Sequence, residues 1–240
     1  MLLKIVGERD PFLLVELSAG ESVFAQSDAM VSMSPNLKLT GELRGGLLQS
    51  IGRKALGGET LFTQKLVAPD DSGQALLAPA SPGDVLLMDV PPEGIVLNDS
   101  AFLAATSGVV LSLRVQGLVK GFLGNTGGLV TMTAKGHGQL AVHGFGSLLE
   151  LGVEEGEGLV VDTGHVVCWS QALDYQVGVR THKKQSLIGG LFNSTLTGEG
   201  LITTFRGQGS VWVASRNYTA FLQAMVDLVS KALPPPVKAD

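Results

Sequence analysis

A single cysteine, Cys168, excludes a disulfide framework within the chain and points to a reducing compartment. It lies in the apolar run Val166-Val167-Cys168-Trp169, which reads as a buried position rather than a reactive thiol. Histidine is nearly as scarce. His137, His143, His165 and His182 are too scattered to read as a ligand set, and no pair separated by one residue precedes a glutamate and a distant third histidine, the pattern of metal-binding double-stranded β-helix enzymes. Basic residues number 17 against 22 acidic ones, a balance that opposes nucleic-acid binding, which needs concentrated Lys and Arg. No run of about 18 uninterrupted apolar residues occurs, so no helical membrane span is expected. The opening MLLKIVGERDPF has neither the apolar core of a signal peptide nor the Arg/Ser-rich character of a transit peptide, and the expected location is the cytoplasm.

What the chain does have is apolar surface and glycine. Apolar residues make up 45% and charged ones 16%, which predicts a core large enough for one big β domain or several small ones. The same greasy balance suits a buried subunit interface, so a homo-oligomer is expected. Glycine, at 32 of 240 residues, is roughly twice the average usage of about 7% and predicts many tight turns between short strands.

The chain says nearly the same thing three times. A Gly-rich, apolar and basic loop runs into a Thr/Leu/Val strand at 45–66, again at 119–142 and again at 186–213. Leu61-Phe62-Thr63 aligns with Leu129-Val130-Thr131 and Leu201-Ile202-Thr203, at spacings of 68 and then 72 residues. Alternation of period two marks strands at 12–17, 109–113, 159–161 and 211–213. Turn signals lie between these runs at Ser18-Ala19-Gly20-Glu21, Pro91-Pro92-Glu93-Gly94 and Glu154-Glu155-Gly156-Glu157, read as hairpin tips. The expected fold is all-β: three tandem β-sandwich or double-stranded β-helix-like repeats around a pseudo-threefold axis, at 1–75, 76–143 and 144–215. One C-terminal α-helix at 217–232 and a tail at 233–240 follow. Asn217 is the predicted cap of that helix. Tyr218, Phe221, Leu222, Met225, Leu228 and Val229 form its apolar stripe, expected to cover the open end of a sheet.

Chemistry is harder to find. His137 and His143 read as one strand, six residues apart and on one face, yet have no third ligand beside them. No nucleophile elbow, phosphate-loop lysine or paired-cysteine motif occurs. No catalytic, cofactor-binding or metal-binding residue is therefore assigned, and no cofactor is expected.

One signal emerges when charge is sorted by loop. The segments 44–58, 115–128 and 180–198 hold Arg44, Arg53, Lys54, Lys120, Arg180, Lys183 and Lys184 and not one Asp or Glu. They stand at +7, and the other ten basic and 22 acidic residues leave the rest of the chain at −12. Among their apolar residues are Leu47, Leu48 and Ile51, then Phe122 and Leu123, then Leu187, Ile188, Leu191 and Phe192. Basic groups beside apolar ones suit an anionic membrane surface. The alternative is that these loops pack on one another or on a neighbouring subunit.

The Gly-Glu turns (Gly20-Glu21, Gly156-Glu157), the strands led by Gly58-Glu59 and Gly198-Glu199, and the runs Gly136-His137-Gly138 and Gly207-Gln208-Gly209 resemble the Aim-type family of mitochondrial biogenesis, formerly a domain of unknown function. The likeness covers about residues 10–215. It implies an all-β body likened in fold to the tryptophan RNA-binding attenuation protein, assembling as a trimer. A tie of the eukaryotic branch to inner-membrane organisation implies a scaffold at a membrane surface. The tryptophan and RNA sites of the attenuation protein find no matching residues here. The expected activity is thus a non-enzymatic scaffold or interaction protein, partnered by itself and by an anionic membrane or another protein. A small-ligand-binding module and a cupin-like metal enzyme are the alternatives.

Overall fold

Alternation converts directly into one-sided strands. In β2 (Phe12–Leu17), Leu13, Val15 and Leu17 are buried while Phe12 is exposed. The computed structural model describes residues 1–43, 62–98, 100–116, 129–179 and 201–232. Within them the chain forms four antiparallel sheets and one α-helix.

The first sheet has the order β1-β2-β7-β4, with β1 at Leu2–Val6, β4 at Met30–Met33 and β7 at Gly73–Leu77. The second has the order β5-β6-β3-β10-β13-β8. Its strands are β3 (Ser22–Gln26), β5 (Lys38–Leu43), β6 (Phe62–Val67), β8 (Gly83–Asp89), β10 (Phe102–Thr106) and β13 (Gln139–Phe145). The third runs β11-β12-β9-β16-β19-β14, with β9 (Ile95–Asn98), β11 (Val109–Gln116), β12 (Leu129–Gly136), β14 (Leu148–Val153), β16 (Val166–Ser170) and β19 (Gly209–Ala214). The fourth, β15-β18-β17, uses β15 (Gly158–Asp162), β17 (Asp174–Val179) and β18 (Leu201–Arg206).

Three apolar cores lie between consecutive sheets. Leu13, Val15 and Leu77 of the first sheet pack with Val23, Leu66 and Leu103 of the second. Phe102, Leu140 and Val142 of the second pack with Leu97, Met132 and Cys168 of the third. Val96, Trp169 and Val211 of the third meet Phe205 and Val161 of the fourth. The last core is the aromatic one, with Trp169 4.8 Å from Tyr175 and 5.6 Å from Phe205 between ring centroids. Each large side chain fully buried here contributes about 1.5–3 kcal/mol of hydrophobic transfer free energy.

The turn signals form turns, but not hairpin tips. Backbone N–H groups of Glu21, Gly94 and Glu157 donate to the carbonyls of Ser18, Pro91 and Glu154 at 3.0, 2.9 and 3.0 Å. Gly20 and Gly156, with φ of +81° and +83°, adopt the left-handed backbone that favours glycine. Each turn leaves one sheet and enters the next: β2 and β3 pair with different neighbours, as do β8 and β9, and β14 and β15. The strands on either side bury their apolar faces against a common core, so the chain turns a corner around that core. Adjacent pairing occurs instead in β1–β2, β5–β6, β11–β12 and β17–β18. The connections from β7 to β8 and from β13 to β14 are residues 78–82 and 146–147.

The helix α1 (Tyr218–Ala232) forms as its sequence predicts. Ala220 N–H donates to Asn217 Oδ1 at 3.0 Å, which caps the first turn. Its stripe does not cover a sheet. Tyr218 and Phe221 touch Phe145, at 5.6 and 5.1 Å between ring centroids, but no residue of the helix is buried. Past the first turn, Met225, Leu228 and Val229 remain exposed.

Candidate functional site

The basic and apolar loop residues, Arg44 through Lys54, Lys120 through Leu123 and Arg180 through Phe192, lie outside the described residues. Their flanking strands do not. Leu43 pairs with Phe62, Gln116 with Leu129, and Val179 with Leu201, so each of the three loops joins the last hydrogen-bonded pair of one antiparallel hairpin. Each charged segment thus lies in sequence between two strands that pair antiparallel with each other.

The histidines divide between turn and core. His137 is exposed between β12 and β13, where Gly136 and Gly138, both at positive φ, reverse the chain. His143 is buried within β13. The two are thus not on one strand face, because the turn between them carries the chain from the third sheet to the second. His165 ends a 3₁₀ turn at Thr163–His165, and its Nδ1 donates to the Ala214 carbonyl at 2.8 Å. Among the described residues no group of three His, Cys, Asp or Glu side chains could hold a metal ion.

A cleft of about 220 Å³ opens where the second and third sheets meet the first turn of α1. Gln26, Ser81, Asn98, His143, His165 and Arg216 are among its polar lining residues. Burial holds His143 neutral, pushing its pKa down to about 4, with the Ser100 backbone acting weakly in the other direction. Its Nδ1 is 3.5 Å from Ser81 Oγ, a marginal hydrogen bond. His143 Nε2 and Gln26 Oε1 are buried without a hydrogen-bonding partner. Asn98 donates through Nδ2 to the Val166 carbonyl at 3.1 Å, tying β9 to the start of β16. Sequence reasoning missed Gln26, Asn98 and Arg216. The signal for the first two was a shared place at the end of strands that follow a Gly-containing turn, visible once the turns are aligned. Cys168 is fully buried in the second core, and burial, with Glu150 nearby, pushes its thiol pKa far up. That leaves it an inert apolar filler.

The fold and the cleft define a class: an all-β protein of stacked antiparallel sheets with a C-terminal helix. The profile of the family described as Mitochondrial biogenesis AIM24 matches residues 3–216, and the chain belongs to that family. It is 34% identical over 217 residues to an uncharacterized protein of Streptococcus pyogenes serotype M6, covering 88% of this chain and 84% of the relative. A crystal structure of a Streptococcus pyogenes protein superposes with a TM-score of 0.77 at 30% identity, covering 95% of this chain and 99% of that one. No helix among the described residues is long and apolar enough to cross a membrane.

Proposed function

We propose that this protein is a non-enzymatic scaffold that lies peripherally on an anionic membrane surface, held there by its three basic loops. The observation that carries the reading is the coincidence of charge and position. Seven of the 17 basic residues but only two of the 22 acidic ones, Glu59 and Glu199, fall in the segments 44–61, 117–128 and 180–200 that each connect two paired antiparallel strands. A basic group near an anionic bilayer contributes about 1 kcal/mol. The apolar residues between the charges, Leu47, Phe122 and Leu191 among them, would enter the interfacial zone.

Co-sedimentation with phosphatidylserine-containing vesicles tests this. The expected result is pelleting at low salt that weakens as salt rises and is reduced by Arg53→Glu with Lys54→Glu, or by Lys183→Glu with Lys184→Glu. Absence of binding at low salt would sink the membrane reading in favour of loops packed on one another or on a neighbouring subunit.

The cleft supports a second reading, a small-ligand-binding module. A concave site with two buried, unpartnered polar atoms, His143 Nε2 and Gln26 Oε1, is equipped to receive a hydrogen-bonding ligand. A thermal-shift screen of small polar compounds, compared with the His143→Phe variant, tests it. No compound that stabilises the unaltered protein more than the variant would remove this reading.

A further inference from the structure

We infer that the cleft between the second and third sheets binds a small hydroxycarboxylate, its carboxylate held at the mouth by Arg216 and the first turn of α1 and its hydroxyl turned inward to His143 and Gln26. The inference rests on the small-ligand reading of the cleft and is independent of the loop surface.

Exposed Arg216 and Tyr218 mark the mouth of the cleft, which is suited to one negative charge. Tyr218 and Thr219, the first two residues of α1, both line it. The Asn217 carbonyl and Oδ1 accept from the N–H groups of Phe221 and Ala220 at 3.1 and 3.0 Å. The N–H groups of Tyr218 and Thr219 precede these, where a helix has no acceptor of its own to offer them. A helix start carries about half a positive charge and favours an anion. Arg216 adds a full charge, and among the described residues no carboxylate is paired with it. Its N–H donates to the Phe145 carbonyl at 3.2 Å, and its stem passes Gly146 so closely that an added Cβ there would stand 3.2 Å from Arg216 Cγ. A Cβ at Gly164 would collide with the Asn217 side chain, so the bare backbone lets the start of the helix approach the cleft. None of the described lining residues is Asp or Glu, in a chain with 22 of them. One planar guanidinium and two N–H groups match a carboxylate, whereas a phosphate monoester, near −2, would leave charge unmatched.

The depth suits a neutral polar group. His143 is 7% exposed there, and its Nε2 has no partner, nor has Gln26 Oε1. Burial keeps the imidazole uncharged, so a second anionic group placed beside it would be desolvated without a cation to meet it. When Ser81 Oγ donates to Nδ1, Nε2 carries the ring proton and is a donor. A hydroxyl accepts from an N–H, donates to an amide oxygen and carries no charge, so it complements both atoms. Small apolar residues, Ala80, Ala101 and Ala214, complete the lining and suit a short carbon chain. The volume of about 220 Å³ lies below the roughly 300–1,000 Å³ of sites for drug-sized molecules, which keeps that chain short.

Calorimetric titration of the whole chain with glycolate, lactate and 4-hydroxybutyrate, each beside its uncharged amide at matched ionic strength, tests the inference. At least one acid should bind the wild-type protein about tenfold more tightly than its amide. Arg216→Gln should weaken that acid by about ten- to hundredfold and leave the amide unchanged. Arg216→Lys, which keeps the charge and loses the fork, should fall between them. Arg216 is exposed, so the circular dichroism spectrum and Tm of both variants should match wild type. Thr219→Pro, tolerated in the first turn of a helix, removes one of the two N–H groups and should weaken the acid severalfold. Butyrate, without the hydroxyl, should bind more weakly than 4-hydroxybutyrate. Amides that bind as tightly as their acids, with Arg216→Gln indifferent to both, overturn the carboxylate assignment and leave the cleft a site for neutral ligands. Butyrate equal to 4-hydroxybutyrate overturns the inward hydroxyl. No acid binding at millimolar concentration overturns the inference, and the small-ligand reading falls with it only if the amides and the wider thermal-shift screen also fail.

Discussion

β16 and β4 are both short, apolar and uncharged, yet every residue of β16 is buried and none of β4 is. β16 lies between β9 and β19 with a core on each side of its sheet, whereas β4 pairs with β7 on one side and with no strand among the described residues on the other. Burial of a strand in this protein is therefore set by its neighbours rather than by its own composition. The middle sheets serve two cores each, and the end sheets serve one.

The widest gap between middle and end should appear when the same charge is placed at matched positions. Leu103→Lys buries an unpaired ammonium in β10, where the wild-type side chain is fully enclosed, and should cost more than about 4 kcal/mol and abolish cooperative unfolding in urea. A folded Leu103→Lys protein would mean that the middle is as open as the end.

Next in size is a pH effect seated in the middle. His143 titrates at about 4 in the fold, below its ordinary value of 6.5, so the unfolded chain binds the proton first as pH falls. The contribution of neutral His143 is complete above pH 6.5 and is lost as pH drops from there towards 4, on the order of 3 kcal/mol in all. Urea unfolding followed across that window should show the slope, and His143→Gln should flatten it. An unchanged slope in the variant would place the titration elsewhere.

Phe221→Ala removes a ring that touches Phe145 but is itself 40% exposed, and should cost about 1 kcal/mol or less, read as a small drop in Tm. Smallest of all, Val31→Lys on the open edge of β4 should stay within about 0.5 kcal/mol of wild type in dilute solution. If it matches Leu103→Lys instead, the contrast between end and middle collapses.

Much of the fold was legible because it is local. Period-two alternation placed β2 at 12–17, glycines followed by acidic residues marked the turns at 18–21 and 154–157, and Asn217 fixed the start of the helix. The partners of those elements were not legible. The turns looked like hairpin tips, since a tight turn between two strands has the same local chemistry whether the strands pair or part. Only the shared core, pulling β2 and β3 into facing sheets, decides between them. The helix stripe was read correctly as apolar and wrongly as covered, because amphipathicity states what a face is and not where its axis points.

The cleft shows the same division. His143 and Gln26 come from strands more than 100 residues apart, and no spacing along the chain foretells that they share a wall. Composition by itself determined that the chain folds as β strands with a large apolar interior and separated the charge of its loops from that of its body. Tertiary structure decided which strands lie in the middle and which at the ends, and so which apolar edges water still reaches. The reason is physical: backbone conformation and side-chain alternation are properties of neighbouring residues, whereas pairing and burial depend on contacts between residues far apart in sequence.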